Sequence, residues 1–199
     1  MILIFNEEYN NFMKILKYIV LFYCIFFTVT SCSVNINFSL QGLYSYYSKT
    51  KKLNPYLFKN NETGCNFKYD HHVYVTNGAA LRNCIRKEPK SLIYIWGPHC
   101  KSELCLPLDT VQEICDKKNI KLYVVAEYYD SESMRKPYHI EFPVFGIDTR
   151  YYHTDLTSKY LSKFIKDTGA VQEIGKRYLY FEKGNFVGSY KDIYKEDVL

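Results

Sequence analysis

The chain has 199 residues, 47% of them hydrophobic and 24% charged, with 26 Lys+Arg against 21 Asp+Glu. This balance excludes a disordered tail, and a net charge of +5 from basic residues read as scattered gives no ground for nucleic-acid binding. A mean hydropathy of −0.27 and the lack of a second long apolar run exclude a polytopic membrane protein.

Lys14 and Lys17 precede an apolar run from Tyr18 to Val29, and Thr30-Ser31-Cys32 follow it. A short basic region, about a dozen apolar residues and small residues before a cut are the parts of a secretory signal. The run is shorter than the roughly 20 residues a spanning helix needs, although an uncleaved anchor is the alternative reading. Val29-Thr30-Ser31-Cys32 resembles a bacterial lipobox, which implies lipidation of Cys32 and a mature chain that begins there. Glu7 and Glu8 suit a signal poorly, so Met13 is a candidate start. The expected organisation is a signal over 1–31, a lipid-anchored tether over 32–71 and a folded domain over 72–199. That places the protein in a bacterial cell envelope, held to a membrane through its lipid and facing the periplasm.

Export leaves the remaining cysteines in an oxidising compartment. With Cys24 in the signal and Cys32 at the lipid, five remain: Cys65, Cys84, Cys100, Cys105 and Cys115. An odd count leaves one thiol unpaired unless it pairs between chains.

Residues 33–70 are rich in Asn, Tyr, Ser and Lys and read as a tether with a short helix near 55–59. His71-His72 have no matching ligand pair and read as structural or solvated. Val73–Thr76 is a strand, and Asn77 caps a helix over 78–87 that ends at Pro89. Residues 91–96 are apolar on both faces, as in a strand buried inside a sheet. Residues 97–107 lead into a helix whose Leu104, Leu108, Val111 and Cys115 share one face, which makes Cys115 a core residue. A second doubly apolar strand covers 120–126, an extended segment 142–148, and an amphipathic helix runs from Leu156 to Gly169. Residues 178–182 and 185–190 flank Lys183-Gly184 as a hairpin. The 18% aromatic content, with 21 Tyr, reads as compositional bias.

This order, with Trp96 and Cys100 where a central strand meets a helix, resembles the thioredoxin-like superfamily over roughly residues 72–190. Closest in style are membrane-tethered thiol-disulfide oxidoreductases, which carry a Trp four residues before the attacking cysteine. The resemblance implies an α/β fold with a central mixed sheet of four to five strands and helices on both faces. Its partners would be protein thiols or disulfides. The chain departs from the family in having Glu103 where the second cysteine stands, and no proline near 175–177 where the family has a cis-proline.

A cysteine at a helix N-terminus meets free N–H groups and the positive end of the macrodipole, which favour thiolate. Cys100 is read there, with Cys105 as the resolving thiol, His99 and Lys101 as added positive charge, and Trp96 as a shielding neighbour. Glu103 is read as a favourable first-turn charge or a proton acceptor. Residues five apart in one helix lie roughly 8 Å apart, beyond the reach of a disulfide. A Cys100–Cys105 bridge therefore needs the helix to begin near Leu106, and Pro107 suits a late start. The same Cys-x4-Cys resembles peroxiredoxin Q, which implies a thiol peroxidase. There a Thr precedes the first cysteine by three, the position of Gly97 here, and an Arg completes the site, for which Arg177 or Arg150 are candidates. Sco-type copper chaperones offer a looser resemblance, with His139 or His153 as the third ligand; otherwise no cofactor and no metal are expected. Cys65 and Cys84 either form a structural bridge or stay free. The remaining reading is a non-catalytic thioredoxin-fold binding lipoprotein with a structural Cys100–Cys105 disulfide.

Overall fold

A computed structural model describes residues 13–22, 42–60, 64–171 and 175–194. The chain divides into two compact units, 1–39 and 40–199. In the first, residues 13–22 are helical. No helix among the described residues is long and apolar enough to cross a membrane. Cys32 and the lipobox lie outside the described residues.

The second unit is α/β. In chain order it has α1 (Tyr47–Leu53), a 3-10 turn (Pro55–Leu57), β1 (Phe58–Asn60), β2 (Val73–Thr76), α2 (Gly78–Ile85), β3 (Lys90–Trp96) and α3 (Leu108–Lys117). There follow β4 (Lys121–Ala126), α4 (Ser131–Met134), β5 (Val144–Ile147), α5 (Thr157–Thr168), β6 (Tyr178–Glu182) and β7 (Asn185–Tyr190). One mixed sheet runs β1-β2-β5-β4-β3-β6-β7. Its first five strands are mutually parallel, β6 runs antiparallel to β3, and β7 runs antiparallel to β6.

The sheet has seven strands, not four to five. One addition is β5, where residues 142–148 are more than an extended stretch: Val144–Ile147 is wholly buried between β2 and β4. The other is β1, whose polar Lys59 and Asn60 suit an edge strand and hide it from a search for apolar alternation. Residues 42–60, expected as a tether, are thus part of the domain. The Ser45 N–H donates to the Asp155 carbonyl at 2.9 Å, and Tyr47 is buried beneath the ring of contacts made by Phe58 and Tyr129.

Alternation sorts each strand's side chains to two faces. Leu92, Tyr94 and Trp96 of β3 join Leu122 and Val124 of β4 under α3 and Tyr47 of α1. Ile93 and Ile95 join Tyr123, Val125 and Phe145 under α2 and α5 on the other face. Helices therefore cover both faces, as a parallel sheet requires. Gly146 makes this possible at β5: a Cβ there would fall 2.5 Å from the buried Tyr129 ring. The hairpin turn is carried by Lys183 and Gly184, both at positive φ (49° and 76°), the geometry of a two-residue turn with the strand-matching twist.

Candidate functional site: the Cys100–Cys105 loop

The carboxyl ends of β3 and β4 and the start of β6 meet at one end of the sheet, where open α/β sheets hold their ligands. There β3 runs into residues 97–107, which have no regular secondary structure. Two turns shape them: the Cys100 N–H donates to the Gly97 carbonyl at 2.9 Å and the Cys105 N–H to the Ser102 carbonyl at 2.9 Å. Cys100 and Cys105 form a disulfide with their Cα atoms 5.9 Å apart. The bridge is possible because α3 begins only at Leu108, with Pro107 as its N-cap residue.

The late start has a cost for the expected chemistry. Cys100 does not stand at a helix N-terminus; it precedes Leu108 by eight residues, and the macrodipole fades within a turn. Glu103 is likewise exposed in the turn, and the acid in the first turn of α3 is Asp109. What the sulfurs have instead is Ser102, whose hydroxyl lies 3.4 Å from the Cys100 sulfur and 3.5 Å from that of Cys105. No spacing rule in the sequence points to it.

Tyrosine hydroxyls hold the loop from below. Tyr94 and Tyr178, both fully buried, stack with centroids 4.7 Å apart. Their hydroxyls donate to the Leu106 carbonyl at 3.2 Å and the Leu104 carbonyl at 3.3 Å. Burial pushes the Tyr178 phenol up, and the adjacent Tyr94 adds to the shift, so both rings remain neutral donors. On the other flank the His99 N–H donates to the Tyr128 hydroxyl at 3.1 Å, and the His99 ring stacks on Tyr128 at 6.4 Å.

His99 Nε2 lies 3.1 Å from Asp130 Oδ1. Asp130 in turn caps α4 by accepting the Ser133 N–H at 2.7 Å. Burial raises the Asp130 carboxyl, but Ser133 and His99 together hold it below the ordinary value. Of the two residues expected to add charge beside Cys100, His99 is oriented by a carboxylate and Lys101 is exposed.

A second ion pair stands beside the loop. Arg177 Nη1 donates to Glu127 Oε2 at 2.9 Å and to the Ile95 carbonyl at 3.0 Å. A Cβ on Gly97 would sit 3.3 Å from Glu127 Oε2, 3.4 Å from the Cys100 Cβ and 3.5 Å from Arg177 Nη1. Gly97 thus packs directly between the pair and Cys100. Beyond Glu127 a cleft of about 390 Å³ opens, with Leu43 and Leu161 as apolar walls and Thr157 and Ser158 supplying hydroxyls. Trp96 is 7% exposed, and its ring meets Tyr138 edge-on at 5.7 Å.

The other sulfurs are separate from this loop. Cys65 and Cys84 form a second disulfide, Cα atoms 5.2 Å apart, tying the segment before β2 to α2. Cys115 is free and fully buried, and burial pushes its thiol up to about 12. No three His, Cys, Asp or Glu side chains converge as a metal site among the described residues. His139 is exposed beside Asp109, at 3.5 Å, and His153 is exposed at a turn. Arg150, the other arginine considered, pairs with Asp148 at 3.1 Å and lies over the Tyr47 ring.

Searches of family models, curated proteins and solved structures return no match to this chain.

Proposed function

We propose that the protein is an exported, lipid-anchored thioredoxin-like protein that exchanges disulfides with protein thiols through Cys100 and Cys105. The observation that carries this reading is a half-buried disulfide in an irregular loop at the carboxyl end of a central strand. Support for the fold relationship comes from the β3–loop–α3–β4 unit and from the β6–β7 hairpin paired antiparallel to β3.

The oxidised form accepts a substrate thiolate at the Cys100 sulfur. A substrate–Cys100 bond forms, the Cys100–Cys105 bond breaks, and Cys105 leaves as a thiolate. A second substrate thiolate then attacks the substrate sulfur, releasing a substrate disulfide and the Cys100 thiolate. In reverse, Cys100 attacks a substrate disulfide and Cys105 resolves the mixed disulfide. Ser102 can donate to whichever sulfur leaves. Arg177, beside Gly97, supplies the positive neighbour that a helix N-terminus would otherwise give. The cleft beside Glu127 receives the substrate chain.

Cys100→Ser is expected to abolish reduction of a model disulfide, and Cys105→Ser to accumulate a mixed disulfide trapped on Cys100. Two variants that both match wild type would sink the redox reading. One observation favours a non-catalytic binder with a structural bridge: the absence of a helix N-terminus at Cys100. Another, Arg177 beside Gly97, favours a peroxidase, which thiol-dependent consumption of hydroperoxide would reveal.

A further inference from the structure

Between Leu40 and Asn61 the sequence has Lys49, Lys51, Lys52 and Lys59 and no Asp or Glu. This stretch thus carries four of the chain's five net positive charges, so the basic residues are not evenly scattered. In the fold it forms an elbow at the sheet edge: α1, the 3-10 turn and β1. The inner side of the elbow, Tyr47, Thr50 and Leu57, is buried. The outer side presents Lys49, Lys52, Leu53 and Tyr56. Leu53 is 65% exposed and Tyr56 91%, the latter the highest of any large apolar side chain among the described residues.

The cations on this side differ in their freedom. Lys59 is held by Asp70 at 2.5 Å, and Lys51 donates to the Tyr47 hydroxyl at 3.2 Å. Lys49 and Lys52 have no partner among the described residues. Of the neighbouring acids, Asp70 is engaged by Lys59, Asp148 by Arg150 and Asp155 by the Ser45 hydroxyl.

Free cations flanking a protruding Leu and Tyr match a surface that is anionic outside and apolar a few ångströms deeper. A bilayer with anionic headgroups has that profile, and tyrosine favours its interface. Lysine stems can lie along the apolar layer while their ammonium groups stay among the phosphates. A nucleic acid would satisfy the lysines but offers Leu53 no comparable apolar layer. We propose that the α1–β1 elbow docks on an anionic lipid surface, with Lys49 and Lys52 at the phosphates and Leu53 and Tyr56 at the headgroup–acyl boundary. This contact is made by the domain itself and depends neither on lipidation of Cys32 nor on the redox reading.

The test uses the full chain with Tyr56→Trp, reconstituted with phosphatidylcholine vesicles with or without phosphatidylglycerol. Buried Trp96, measured in the unsubstituted protein, provides the background. Expected is a blue-shifted emission, quenched by lipids brominated on their acyl chains, only where phosphatidylglycerol is present. Adding Lys49→Gln and Lys52→Gln should lower the docking equilibrium about 30-fold, at roughly fivefold per lysine near the surface, and added salt should weaken it further. A water-exposed emission with phosphatidylglycerol, or equal quenching without it, overturns the proposal. So does a shift produced by an oligonucleotide where vesicles give none.

Discussion

Ser102 is the residue on which the candidate chemistry turns most directly, since its hydroxyl reaches both sulfurs of the loop. A hydrogen bond to a charged group contributes about 1.5–3 kcal/mol, and the leaving sulfur carries charge only once the disulfide opens. Ser102→Ala should therefore slow thiol exchange about tenfold while leaving the urea midpoint of the oxidised protein unchanged. Stopped-flow exchange with a small thiol measures the first and equilibrium unfolding the second; an unaltered exchange rate would remove Ser102 from the site. Spacing shows the paired cysteines, but a serine between them has no signature. Glu127 has no signature either, and Arg177 is only one of two candidate arginines in the sequence, because 50 residues separate the pair and β3 must pair with both β4 and β6 to bring them together.

At the scale of elements, the sequence is legible where burial imposes a period. Strands β3 and β4 are apolar on both faces, α2 has its Asn77 cap, and Lys183-Gly184 marks the hairpin. It is less legible at the margins. Helix α1 carries two lysines in its last turn and β1 exposes two of its three residues, so neither carries an apolar pattern. Pro107 does signal the late start of α3, which is why the disulfide can close. The abundance of tyrosine, read from composition as bias, proves structural. Five of the largest fully buried side chains are Tyr94, Tyr123, Tyr160, Tyr178 and Tyr180. The Tyr160 hydroxyl donates to the Glu127 carbonyl at 2.5 Å and that of Tyr129 to the Ile147 carbonyl at 2.7 Å, so these rings fasten loops to the sheet. Tyr178→Phe keeps the ring stack and removes the donor to Leu104. Because Leu104 is half-buried, water can replace that donor in part, and the loss should be about 1 kcal/mol. Urea unfolding checks the loss, and faster amide exchange at the Cys105 N–H would show the loop has loosened. Gly146→Ala is expected to cost more, about 1–3 kcal/mol by overpacking, since the Tyr129 ring it would strike is buried against Tyr47 and Phe58.

For the whole molecule, the two disulfides sit in unlike surroundings. Both cysteines of the Cys100–Cys105 pair are half-buried in a loop, whereas in the other pair Cys65 is half-buried and Cys84 is 2% exposed under the second core face. Graded reduction followed by alkylation and mass spectrometry should label Cys100 and Cys105 first and Cys65 and Cys84 later. Cys115 should react only after denaturant is added, because its buried thiol is not ionised near neutral pH. Early labelling of Cys115 would contradict the packing.

The odd cysteine count has an electrochemical consequence. With Cys115 shut inside one core and Cys84 buried in the other, the Cys100–Cys105 couple is the one whose two cysteines are both partly open to solvent. Its potential should follow one Nernst curve, shifting by about 30 mV for each tenfold change in the dithiol–disulfide ratio. On the proposed redox reading, that couple would pass electrons to a partner two at a time.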